Sequence, residues 1–91
     1  MSGSASADTI PVRIMVEEAW DEVRLDFLAT TSVADAKRRA LELTHVDEPA
    51  EIFEVKYRGA LILDEGVSLR GAGIVPNAGL IVLRSRRSPV S

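Results

Sequence analysis

The residues able to do chemistry in this chain are few, and their spacing limits what they could do. There is one histidine, His45, and no cysteine among the 91 residues. General acid/base work built on a histidine cluster, thiolate metal sites, thiol nucleophiles and disulfides are therefore excluded. Adjacent carboxylates occur at Glu17-Glu18 and Asp64-Glu65, and both fall in stretches that read as solvated turns, with no histidine beside them. His45 near the end of a helix complements the negative end of the helix dipole and needs no further role. Lys37-Arg38-Arg39 reads as a solvated helix face, and Arg84, Arg86 and Arg87 form a small basic tail whose three charges give a weak grip on an anion. No metal, cofactor or catalytic residue is expected. The side chain best suited to an intermolecular contact is Trp20, the only tryptophan, in the run Glu17-Glu18-Ala19-Trp20-Asp21-Glu22. An exposed indole there would anchor a partner; the alternative is that it folds back over a sheet edge.

The elements that carry these residues follow from periodicity. Ile10, Val12, Ile14 and Val16 alternate with Pro11, Arg13, Met15 and Glu17, and Val23, Leu25 and Phe27 alternate with Arg24 and Asp26. Both are period-two strands with one buried face, so the acidic run between them is the tip of an antiparallel hairpin. Ser32 with Asp35 three residues on predicts a reciprocal capping box and a helix start. The apolar stripe Val33, Ala36, Ala40, Leu43 then faces a sheet, Thr44 and His45 end the helix, and Pro49 marks a loop. Phe53, Val55 and Tyr57 form a third strand ending at Gly59, and Ala60 to Leu63 a short fourth. Asp64-Glu65-Gly66 and Pro76-Asn77-Ala78-Gly79 are turns, and Leu80 to Leu83 is a continuous apolar run expected of a central strand.

One helix crossing between a hairpin and the remaining strands predicts an α+β β-grasp: a mixed four- to five-stranded sheet packed on one helix. The element order, together with Leu69-x4-Ile74-x5-Leu80-x-Val82, Val55-x-Tyr57-x-Gly59, Asp64-Glu65-Gly66 ahead of Leu69, and Pro49 after the helix, resembles the ubiquitin family over roughly residues 10 to 87. Residues 1-9 read as a flexible segment, 10-84 as the domain and 85-91 as a flexible basic tail. The resemblance implies a C-terminal Gly-Gly in active modifiers, but no glycine follows Gly79 here, so conjugation and sulfur transfer are not expected. It also implies a binding patch on the sheet face away from the helix. The middle-strand position that is aliphatic in ubiquitin corresponds to Lys56, whereas the final-strand position is Leu83. Ala72 stands where ubiquitin has a tyrosine that ties down its loop, which predicts a looser loop.

Strand phase puts Met15, Ile81 and Leu83 on that outward face, with the first strand beside the last. Met15, Ile81 and Leu83 would supply desolvation, Trp20 an anchor, and Lys56, Arg58 and Arg84 charge complementarity toward an acidic partner surface. The expected function is a non-conjugating interaction module or accessory subunit, similar to the short ubiquitin-like proteins of bacterial type VII secretion or the small β-grasp subunits of multicomponent monooxygenases. The competing reading is a modifier or carrier with an atypical C-terminus. With no signal-peptide pattern, no membrane span and a net charge of −3, a cytoplasmic monomer that binds another protein, not nucleic acid or membrane, is expected, and the Ala/Arg/Val usage suggests a bacterial source.

Overall fold

The computed structural model describes residues 9–85. In chain order it contains β1 (Thr9–Val16), β2 (Asp21–Leu28), α1 (Val33–Leu43), a 3-10 turn (Ala50–Ile52), β3 (Phe53–Tyr57), β4 (Ala60–Leu61) and β5 (Ala78–Arg84). The strands form one mixed sheet in the order β2-β1-β5-β3-β4. β5 is the middle strand, parallel to β1 and antiparallel to β3. That position explains its unbroken apolar run. The expected segments 1-9 and 85-91 lie outside the described residues except at their inner ends: Thr9 opens β1, and the Ser85 amide donates to the Ile52 carbonyl at 2.7 Å.

One face of the sheet and the helix share the core. Val12, Ile14 and Val16 of β1, Leu80 and Val82 of β5, and Phe53 and Val55 of β3 are buried against Val33, Ala36, Ala40 and Leu41 of α1, with Leu69 and Ile74 closing the end. Each fully buried aliphatic side chain contributes roughly 1.5 to 3 kcal/mol, which lets a core without disulfides hold the chain. Ala36 and Ala40, 1% and 0% exposed, bring the helix close to the strands.

Several local expectations are corrected. The inward stripe passes through Leu41, not Leu43, which is 37% exposed. Lys37 is buried at 6% exposure and is no part of a solvated face, because its ammonium meets the Phe53 carbonyl and Glu65. The Ser32 hydroxyl oxygen accepts from the Asp35 amide at 3.0 Å, but Asp35 does not reach back; its carboxylate pairs with Arg38. The other free amides of the helix start are taken by the 64–68 segment: Val33 donates to the Val67 carbonyl at 2.9 Å and Ala34 to the Glu65 carbonyl at 2.8 Å. The helix ends as foreseen. His45 adopts φ 62°, its amide donates to the Glu42 carbonyl, and that of Val46 donates to Leu41, which together form a Schellman closure.

The fourth strand is shorter than the apolar run suggests, since only Ala60–Leu61 pair regularly before the Ile62 amide makes a last bond to Val55. The second predicted turn stops at Asn77, and Ala78 and Gly79 already belong to β5. The loop at Ala72 is held by its own backbone and by a tyrosine from another element, since the Tyr57 hydroxyl donates to the Gly73 carbonyl at 3.4 Å. Ala72 donates to the Ser68 carbonyl, Ile74 to Leu69, and the Gly71 amide to the Ser68 hydroxyl at 2.9 Å.

Candidate interaction face

On the sheet face away from the helix, side chains line up across the strands because cross-strand partners share a face. Glu22 opposes Met15, Met15 opposes Ile81, Ile81 opposes Lys56, and Lys56 opposes Leu61. This single row crosses the whole sheet. Ile81 at its centre is 39% exposed, while Met15, Lys56 and Leu61 are half-buried. Leu83 lies next along β5, opposite Glu54, whose carboxylate accepts from the Ser85 hydroxyl at 3.0 Å. The structure thus brings Met15, Lys56, Ile81 and Leu83 together as anticipated. Leu61 joins them, unforeseen from sequence because its place depends on the tight β3–β4 turn.

Two expected members stand apart. Arg84 follows Leu83 directly and so points to the helix side of the sheet. There it forms ion pairs with Glu18 at 3.1 Å and with Glu48, and its guanidinium sits 5.5 Å from the Phe53 ring centroid. The hydrogen bonds to Glu18 and then Glu48 raise its pKa above the usual arginine value. Arg84 ties the hairpin tip to the loop after the helix and is corrected out of the open face. Arg58 occupies the β3–β4 turn with φ 56°, followed by Gly59 at φ 80°, the paired left-handed geometry of a two-residue hairpin. Its exposed guanidinium lies 5.3 Å from the ring centroid of Tyr57, an inner-face residue.

Trp20 ends the four-residue β1–β2 connection and is 82% exposed, which rules out folding back over the sheet edge. Its φ of 51° is unusual for so bulky a residue. Glu17, Glu18, Asp21 and Glu22 surround it in sequence, and an open groove of about 470 Å³ lined by Glu17, Glu18, Leu83, Arg84 and Ser85 connects the tip to the end of the sheet face. Among the described residues, no group of three His, Cys, Asp or Glu side chains could hold a metal ion, and no helix is long and apolar enough to cross a membrane.

Solved structures share this arrangement. A de novo design based on ubiquitin matches with a TM-score of 0.75 at 17% identity, covering 94% of this chain and all of that one. The fold is the ubiquitin-like β-grasp. Caldiarchaeum subterraneum ubiquitin matches this β-grasp with a TM-score of 0.72 at 10% identity over 88% of this chain and 98% of that chain. The ubiquitin-like domain of Plasmodium falciparum Dsk2 does so at 0.70 and 25% identity, over 85% and 99%. No protein-family model and no curated protein matches the sequence.

Proposed function

We propose that this β-grasp domain is a non-conjugating protein-interaction module, an accessory piece of a larger assembly that docks through its open sheet face. The observation that carries the reading is the Met15–Ile81–Lys56–Leu61 row, with Leu83 beside it: an apolar strip interrupted by one lysine, crossing four strands, centred on a middle strand and covered by no element among the described residues. Apolar surface in such a position gains free energy when a partner removes it from water, and a charged rim sets the orientation of that partner. Met15, Ile81 and Leu83 supply the desolvation. Lys56 supplies a cation within the strip, and Trp20 an anchor at its acidic end, so the complementary surface carries an acid against Lys56 and bases against the hairpin tip. Arg84 is engaged by Glu18 and Glu48 within the domain, and Arg58 stands exposed at the β3–β4 turn. No reaction is assigned.

The test is affinity capture with mass spectrometry, comparing the wild type with Ile81→Asp/Leu83→Asp, Trp20→Ala and a control, Val75→Asp, which is 48% exposed on a loop. The partner is expected to be lost with the double variant, weakened with Trp20→Ala and kept with the control. Undiminished capture by a folded Ile81→Asp/Leu83→Asp protein refutes the proposal.

A further inference from the structure

Among the described residues, β2 is an edge strand of eight residues whose only strand neighbour is β1. Protected edges are short, bulged, interrupted by proline or lined by charge. β2 lacks the first three devices, since DEVRLDFL contains no proline or glycine and all eight residues pair in unbroken register with β1; its charges are of both signs, which repel an unlike edge but suit a complementary one. Its inner-face residues Val23, Leu25 and Phe27 are only half-buried, although their partners Ile14, Val12 and Ile10 are buried. On the outer face, Arg24 stands directly opposite Arg13, a like-charge pair that disfavours the sheet. Neither Arg24 nor Asp26 has an ion pair among the described residues. The edge is thus long, flat and incompletely covered, with two opposite charges unused.

We infer that a second copy of this chain occupies that edge, pairing β2 antiparallel with β2 about a two-fold axis at Leu25. The pattern is self-complementary in that register. Leu25 meets Leu25 of the partner copy, Val23 meets Phe27, Arg24 meets Asp26, and Glu22 meets Leu28, a side chain 56% exposed in the single chain. The two arginines and two aspartates occupy a square in which every side joins opposite charges and only the longer diagonals join like ones. Moving the axis by one residue sets Arg24 against Arg24 or Asp26 against Asp26. Moving it to Val23 shortens the overlap and leaves Phe27 uncovered. An axis normal to the sheet keeps inner faces together, so the two five-stranded sheets become continuous with both helices on one side. The open faces with Met15 and Ile81 stay free on the other side, and the expected monomer is then the dilute form.

Sedimentation equilibrium over a concentration series tests this, using the full chain as wild type, Arg24→Asp, Asp26→Arg, the double swap Arg24→Asp/Asp26→Arg, and an equimolar mixture of the two single variants. Circular dichroism confirms that each is folded. The wild type, the double swap and the mixture are expected to reach twice the monomer mass, and each single variant to associate at least about tenfold more weakly. A wild type that stays monomeric up to about millimolar concentration, within the weak range of affinities, overturns the inference. So do single variants that associate like the wild type, or a double swap that does not recover. Association abolished by Ile81→Asp but kept by Arg24→Asp would put the contact on the sheet face and also reject it.

Discussion

The Lys37 ammonium lies 2.6 Å from a Glu65 carboxylate oxygen and 3.0 Å from the Phe53 carbonyl, joining the middle of the helix to the loop that caps its start and to the first residue of β3. Lys37 is 6% exposed, whereas the Glu65 side chain is 21% exposed, so the pair is sheltered but not dry. Removing one partner leaves the other charge without its counter-ion in a region water reaches poorly.

Lys37→Ala is therefore expected to destabilise the domain by about 2 to 4 kcal/mol, at or below the usual cost of breaking a buried pair because Glu65 retains some water. Lys37→Met, which keeps the aliphatic stem, should cost less. Urea unfolding measures both. Equal losses would mean that the ion pair and the hydrogen bond to Phe53, not packing of the stem, hold this junction.

Trp20→Gly should raise stability, an unusual outcome for the loss of a tryptophan. The left-handed backbone costs a bulky residue about 1 to 2 kcal/mol, and a glycine returns about 0.5 to 1 of that through its freer unfolded chain. Because the ring is 82% exposed, no buried contact is lost. A net gain of roughly 0.5 to 1 kcal/mol is expected by thermal or urea unfolding. A loss of several kcal/mol would show that the indole packs on the domain.

Ser32→Ala removes the oxygen that accepts from the Asp35 amide and should cost about 1 kcal/mol. Asp35→Ala is expected to cost less, since among the described residues its carboxylate pairs with exposed Arg38 and does not close the box. Chemical denaturation ranks the two variants, and the reverse order would restore the reciprocal cap.

Ala40→Leu tests the close approach of helix and sheet. With Ala40 at 0% exposure there is no room for three more carbons, and overpacking should cost about 1 to 3 kcal/mol. A neutral result would indicate slack between α1 and the strands.

The Arg84 pairs bring no pH dependence in the neutral range. A guanidinium whose pKa is raised on folding stabilises fully below its unfolded pKa, and the contribution fades only as pH climbs through the folded one, beyond ordinary buffers. Rising salt should instead weaken these exposed contacts, read as lower thermal stability in the wild type than expected from an Arg84→Gln reference over the same salt series.

Much of this architecture is written in short-range pattern. Alternation along Ile10 to Val16 and Val23 to Phe27 specifies which side chains face the core, Ser32 specifies where the helix begins, and the same parity that exposes Ile81 and Leu83 already sends Arg84 to the other side. Those choices depend on neighbours within a few residues, where sterics and local hydrogen bonds act. Lys37 was the opposite case. Charge and helical position make it look solvated, and only the arrival of Glu65 and the Phe53 carbonyl from distant segments gives a buried ammonium its partners. Likewise Met15 and Ile81 become neighbours through the parallel β1–β5 register, and Leu61 enters the row through a turn that needs Arg58 and Gly59 at positive φ. Pairing between strands far apart in the chain is decided by how the whole core closes, because each ladder is stable only with the others in place.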